Sequence, residues 1–293
     1  MQKNNPLTPE EKWEQATLAN NFIFYKVMRH HPDACKELLE LLLGIPIDRI
    51  EMHNEETIDV DFGSKGIRLD LYVSGSDRVF DIEIQTTDTG GLPQRARYYQ
   101  GAMDIDQLGA GEDYRLLKES HIIFICMADP FKRHRKNLPV YTFENLCRED
   151  VSVSLGDRTY KHFFIAPACA TMLQDGEQKA FFALLTANKS GSTFTDRLKT
   201  FVDDAKRNTQ WRRQFMTWEM QMNLERNLGR EEGIAIGEER GIAIGIAEGK
   251  EQGIAQGERN KALETARTAL AMGMSADQIA KLTGLTTAEI TEL

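Results

Sequence analysis

The N-terminal stretch of the chain is patterned for helices. Apolar residues at Trp13, Leu18, Phe22 and Val27 recur at helical spacing. Thr8-Pro9-Glu10-Glu11 in front of them has the form of a capping box with proline at the first helical position. Pro32-Asp33 opens a further helix carrying Leu38, Leu39, Leu41, Leu42 and Leu43, which Gly44 and Pro46 end. At Thr57 the period changes. Residues 57–62, 67–73 and 79–86 are short, β-branched and alternating, with glycine and serine between them, and are expected to form three strands of a meander. A helix is expected at about 94–108, a buried strand over the apolar run 121–128, and a further strand at 161–166. Helices follow over about 177–223, broken near Ser190-Gly191. This order is that of an α/β fold with a mixed sheet flanked by helices.

Two segments beyond this core have patterns of their own. Glycine recurs at every fourth position from Gly229 through Gly233, Gly237, Gly241, Gly245, Gly249 and Gly253 to Gly257. Eight interior glycines cost an isolated helix on the order of 8 kcal/mol relative to alanine. The segment is therefore either a flexible, expandable linker or a helix that recovers the cost by close packing. A four-residue step advances about 40° round a helix, so the glycines wind as a slow groove able to admit a second helix. Similar spacing packs membrane helices, but Glu231, Glu232, Arg240, Glu248 and Glu251 interrupt this one. The expectation is a homo-oligomer joined through this helix, with no membrane insertion. Ser275-x-x-Gln278 and Thr286-x-x-Glu289 then form two capping boxes with Gly284 between them, a helix–turn–helix-like spacing. The second helix carries Glu289 and Glu292 and no Lys or Arg, which favours packing or regulation over base reading. Three domains are expected: an α/β domain over 1–225, the glycine-repeat helix or linker over 226–260, and a small helical unit over 261–293.

Composition narrows the class. The chain has 293 residues, 41% hydrophobic and 28% charged, as in ordinary globular proteins. A net charge of −9 argues against a generally basic, DNA-coating protein. It leaves room for a nuclease, whose site is acidic and whose phosphate contacts are local. Cys35, Cys126, Cys147 and Cys169 have neither CxxC nor zinc-ligand spacing, which points away from a disulfide framework and toward the cytoplasm. The first residues lack the apolar core of a signal peptide, and the most apolar run, 122–128, is too short to span a membrane.

The candidate chemistry lies on the second and third expected strands. Alternation sets Leu69, Leu71 and Val73 on one face and Arg68, Asp70 and Tyr72 on the other. It likewise separates Phe80, Ile82 and Ile84 from Asp81, Glu83 and Gln85. Ser74-Gly75-Ser76-Asp77 is turn chemistry. A two-residue loop at Ser76-Asp77 puts Leu71 opposite Ile82, and the same register puts Asp70 opposite Glu83. Facing carboxylates about 5 Å apart repel each other. A hard divalent cation such as Mg²⁺ or Mn²⁺ relieves that repulsion. The other reading is a half-exposed strand face of ordinary solvated charges, some paired with Arg68 or Arg78.

The residues Ile67-Arg68-Leu69-Asp70-Leu71 and Phe80-Asp81-Ile82-Glu83-Ile84-Gln85 resemble the core of a PD-(D/E)XK nuclease of the form that ends in Gln rather than Lys. With Arg95-Ala96-Arg97-Tyr98-Tyr99, Gly109-Ala110-Gly111-Glu112-Asp113-Tyr114 and the glycine-repeat tail, nearly the whole chain resembles the Rpn family of recombination-promoting nucleases, YhgA-like proteins also described as transposases. The resemblance implies a PD-(D/E)XK nuclease-like core and a Mg²⁺- or Mn²⁺-dependent DNA endonuclease. Asp70, Glu83 and the carbonyl of Ile84 would hold the metal, and Gln85 would orient the attacking water. Gln85 cannot supply the charge that lysine does. The three spaced acids of a DDE transposase are not seen.

Arg95, Arg97 and Tyr98 on the following helix, and Lys132, Arg133, Arg135 and Lys136 in the densest basic run, are candidate DNA contacts or else surface charges. Glu37 and Glu40 are possible helix-borne acids of the core or solvated helix charges. One departure from the family is Asn20-Asn21 where an Asp precedes the Phe-x-Phe-Lys pattern. The rival to the nuclease is a decayed nuclease core that binds DNA or self-associates without cutting.

Overall fold

The computed structural model describes residues 7–53, 57–58, 67–68, 71–87 and 90–293. They divide into two compact units, Met1–Glu219 and Met220–Leu293.

The first unit opens with α1 (Pro9–Gln15), α2 (Asn21–His30) and α3 (Pro32–Leu43). The Thr8 hydroxyl accepts from the Glu11 backbone, and the Glu11 carboxylate accepts from the Thr8 N–H. Of the Asn20-Asn21 pair, Asn20 caps α2 by accepting from the Ile23 N–H at 3.2 Å. An amide oxygen does that work as well as a carboxylate. Gly44 ends α3 with φ +66°, in the left-handed region that favours glycine.

Five strands carry most of the sheet: β1 (Glu51–Met52), β4 (Tyr72–Ser74), β5 (Arg78–Gln85), β6 (Glu119–Cys126) and β8 (Thr159–Ile165). With β7 (Val140–Phe143) they stand in the order β1-β4-β5-β6-β8-β7. The β5/β6 and β6/β8 pairs are parallel and the others antiparallel, so the sheet is mixed. The remaining strands, β2 (Thr57–Ile58) and β3 (Ile67–Arg68), pair with each other, antiparallel. Of the three expected strands, the first meets the second in the antiparallel β2/β3 pair and the second meets the third in the antiparallel β4/β5 pair; residues 59–66 and 69–70 lie outside the described residues. The strand β1, two residues long, is too short to carry a period in the sequence. β7 was also unforeseen, being a four-residue edge strand directly after Pro139.

The sheet has two covered faces. On one, Val73, Phe80, Ile82, Ile84, Ile123, Ile125 and Phe164 pack with α1, α2, α3, α6 (Gly176–Ala187) and α7 (Thr193–Arg207). On the other, Tyr72, Ile122, Phe124, Phe163 and Ile165 pack with α4 (Leu92–Gln107) through Leu92, Ala96 and Met103. A short α5 (Ala166–Met172) continues directly from β8.

The helix α8 (Thr209–Ala271) begins in the first unit, where Phe215 is fully buried, and carries every glycine of the repeat. In the second unit its end packs with α9 (Ala276–Thr283) and α10 (Thr287–Thr291) around Ala266, Ala269, Ile279, Leu285 and Ile290.

Candidate metal centre and nucleic-acid interface

Alternation along β5 separates its apolar residues from its acids. Phe80, Ile82 and Ile84 enter the multi-helix core, while Asp81, Glu83 and Gln85 turn to the face that α4 covers. The β4/β5 pairing sets Tyr72 opposite Asp81 and Val73 opposite Phe80, and the Ile82 N–H donates to the Leu71 carbonyl at 3.1 Å. This is the register on which the expected Asp70–Glu83 pairing rests; Asp70 itself lies outside the described residues.

Asp81 and Glu83 are 0% and 2% exposed, so both need partners. Glu83 Oε2 accepts from the Arg95 guanidinium at 2.7 Å and from the Gln85 amide at 2.9 Å. The Tyr99 hydroxyl stands near enough to Glu83 to feel its charge. Burial, followed by the charge of Glu83, pushes the Tyr99 pKa above the ordinary phenol range. Burial, then Asp106, does the same to Tyr72. The Arg95 side chain lies over the Phe124 ring at 5.3 Å and the Tyr99 ring at 5.7 Å. The helix itself is clamped to the sheet by Gln100, whose amide donates to Ser120 at 2.6 Å and to Asp104 at 2.9 Å.

The backbone offers a further oxygen. The Gln85 carbonyl faces β6, accepting from the Met127 N–H at 2.9 Å. Successive carbonyls alternate along a strand, so that of Ile84 faces the opposite, β4 side. Glu83 and Ile84 therefore contribute oxygen donors alone, which suits a hard cation. Among the described residues no three His, Cys, Asp or Glu side chains form a metal-holding group.

The other sequence candidates fall in distinct places. Arg95 pairs with Glu83, with part of its side chain still exposed. Arg97 is exposed on α4, and Tyr98 beside it is 43% exposed. Lys132, Arg133, Arg135 and Lys136 lie exposed at a 3₁₀ turn, Lys132–His134. Glu37 pairs with Arg197, and Glu40 accepts from the Ile47 N–H. Both acids belong to α3, which packs on the face away from Glu83. Sequence reasoning missed the closure of Glu83 by Arg95 and Tyr99. Their spacing of four residues on α4 was a signal that they share a helix side, but nothing local said which strand that side meets.

A mixed sheet that buries an acid-x-glutamine face beneath a helix is the arrangement of the PD-(D/E)XK nuclease class. Residues 23–155 match the family model described as PD-(D/E)XK nuclease family transposase. Residues 259–293 match the model of the Rpn/YhgA-like nuclease family, C-terminal HTH domain. The chain belongs to the Rpn/YhgA-like nuclease family. No curated protein and no solved structure matches it. No helix among the described residues is long and apolar enough to cross a membrane.

Proposed function

We propose that the chain is a Mg²⁺- or Mn²⁺-dependent DNA endonuclease that hydrolyses phosphodiester bonds in recombination or transposition. The observation that carries the reading is the convergence of Glu83, Gln85 and Arg95 on one buried strand face. Glu83, the Ile84 carbonyl and Asp70 would hold the cation. The cation would supply charge stabilisation at the phosphate and acidity to the attacking water. Gln85, held against Glu83, is placed to accept from or donate to that water. Arg95 contributes the positive charge that Gln85 lacks, within reach of the same carboxylate. Arg97, Tyr98, Lys132, Arg133, Arg135 and Lys136 are the proposed DNA contacts, and the C-terminal helix–turn–helix unit is a second one.

Self-association through α8 is part of the proposal. Ile234, Ile236, Ile242, Ile244, Ile246 and Ile254 are all at least half exposed on it, which a second copy would cover. Four free cysteines suit a cytoplasmic protein. A second reading, a nuclease-like protein that binds DNA without cutting, is favoured by one observation: Arg95 already neutralises Glu83.

Nicking of supercoiled plasmid in Mg²⁺ by the wild type, Asp70→Ala and Glu83→Ala separates these readings. Loss of a metal ligand should cost at least about 100-fold in rate. Equal nicking by all three proteins removes the assignment. Salt-dependent DNA binding with no cleavage by any of them selects the second reading.

A further inference from the structure

One row of side chains crosses the sheet from the candidate centre. Glu83 on β5 is paired with Phe124 on β6, Phe124 with Phe163 on β8, and Phe163 with Tyr141 on β7. Paired residues point to the same side of a sheet, so all four share the α4 face. Phe124 and Phe163 stack with centroids 5.2 Å apart and planes at 16°. Beyond Phe163 stand Phe131 and Phe143, both edge-on to its ring at 5.0 and 5.7 Å. These three rings, with Pro93, Ala96, Arg97 and Lys161, line an open cavity of about 160 Å³. A cavity of about 150 Å³ holds one benzene-sized ring. Phe143 at the mouth is 43% exposed, unlike the buried Phe131 and Phe163.

Two cations, Arg97 and Lys161, line this slot, with Asp157 and Asp104 close enough to act on Lys161. Arg97 is exposed at the rim and makes no ion pair with a described residue. Lys161 on the far wall is half-buried, its ammonium donating to the Thr159 hydroxyl at 3.0 Å. Directly after Phe131 comes the exposed run Lys132, Arg133, Arg135 and Lys136. Aromatic walls beneath a cationic rim are what a base with its phosphates attached requires. Phe163 lies two strand spacings from Glu83, about 10 Å. That is no more than about three nucleotides at duplex rise.

We propose that this slot receives one unstacked pyrimidine base of the DNA strand whose phosphate is engaged at Glu83. The inference rests on the reading of Glu83 as the centre of a nuclease. A base leaves the duplex stack to enter such a pocket, which favours mismatched, frayed or single-stranded DNA. The cations at the rim take the flanking phosphates.

The test uses the full chain and twelve-nucleotide oligothymidine carrying 5-iodouracil at one position at a time. On irradiation the crosslink should map to Phe143, Phe131 or Phe163. Phe143→Ala should weaken oligothymidine binding by about 5- to 150-fold. Phe143→Trp should restore it, which a purely structural role for the ring would not allow. Arg97→Ala should lower the salt dependence by about one phosphate contact. Crosslinks mapping outside the slot, or oligothymidine affinity unchanged in Phe143→Ala, overturn the proposal. If plasmid nicking persists in that case, the slot alone has failed. If the wild type never nicks yet crosslinks in the slot, the catalytic reading of Glu83 has failed and the base slot stands.

Discussion

The ion pair between Arg95 and Glu83 can be weighed by a double-mutant cycle of Arg95→Met and Glu83→Gln. At 2.7 Å and an effective dielectric of about 20, the gross attraction is roughly 6 kcal/mol. Most of that is offset by desolvation, because the Glu83 side chain is only 3% exposed. Arg95→Met leaves Glu83 a buried anion without its guanidinium, while the Gln85 amide still donates to it. Breaking a fully buried pair costs about 3–5 kcal/mol. The Arg95 side chain is 32% exposed, so solvent screens part of the loss and about 2 kcal/mol remains. The contact of the guanidinium with the Phe124 ring adds about 0.5–1 kcal/mol. The total, about 3 kcal/mol, corresponds to a Tm lower by roughly 6–12 °C for a unit of this size. Glu83→Gln should cost less, since Arg95 retains water. The double variant should be more stable than the sum of the singles implies, by about 1–2 kcal/mol. Urea denaturation of the four proteins without divalent metal measures this. If the cation binds at Glu83, Mg²⁺ should stabilise Arg95→Met more than the wild type, by up to about 3 kcal/mol at 100 times its Kd. Additivity of the singles within about 0.5 kcal/mol would refute the coupling, and identical Mg²⁺ responses would refute the shared site.

Two further outcomes follow from other parts of the molecule. On the opposite face of the sheet His121 lies between Glu119, 3.0 Å from its Nε2, and His162, 3.1 Å from its Nδ1. Burial lowers the pKa of both imidazoles, that of His162 to about 3. Below pH 6.5 the unfolded chain therefore takes up protons that the folded one refuses. Stability is complete above that pH and falls between about 6.5 and 3. The slope from His162 is about 1.4 kcal/mol per pH unit, or roughly 2 kcal/mol between pH 6.5 and 5. Urea midpoints across that range should show it in the wild type and less of it in His162→Gln; parallel curves would contradict the assignment. In α8 a methyl built at Gly233, Gly241 or Gly249 meets nothing within 4 Å beyond the neighbouring residues and backbone of its own helix. Alanine at all three should strengthen the helix by about 3 kcal/mol, read as slower amide exchange. If the glycine groove seats a second copy, the same triple variant should sediment as a smaller species; unchanged mass with slower exchange would rule out the groove as the interface.

Much of the local order was legible in the chain. The capping box at Thr8, the stop at Gly44 and the hairpin turn through Gly75 rest on side chains and neighbours a few residues apart, so the sequence contains their causes. The alternation of β5 likewise separates Ile82 and Ile84 from Asp81 and Glu83 whatever the rest of the chain does. The helicity of the glycine repeat was less legible, because every Gly weighs against it and only the continuity of α8 on either side settles the conformation. What tertiary structure alone decided is which element covers the acidic face. Arg95 and Tyr99 reach Glu83, and Phe124 and Phe163 fall in line with it, because β5, β6 and β8 run parallel in one register. Parallel pairing joins residues forty positions apart through crossovers, and no short-range pattern encodes where such partners meet.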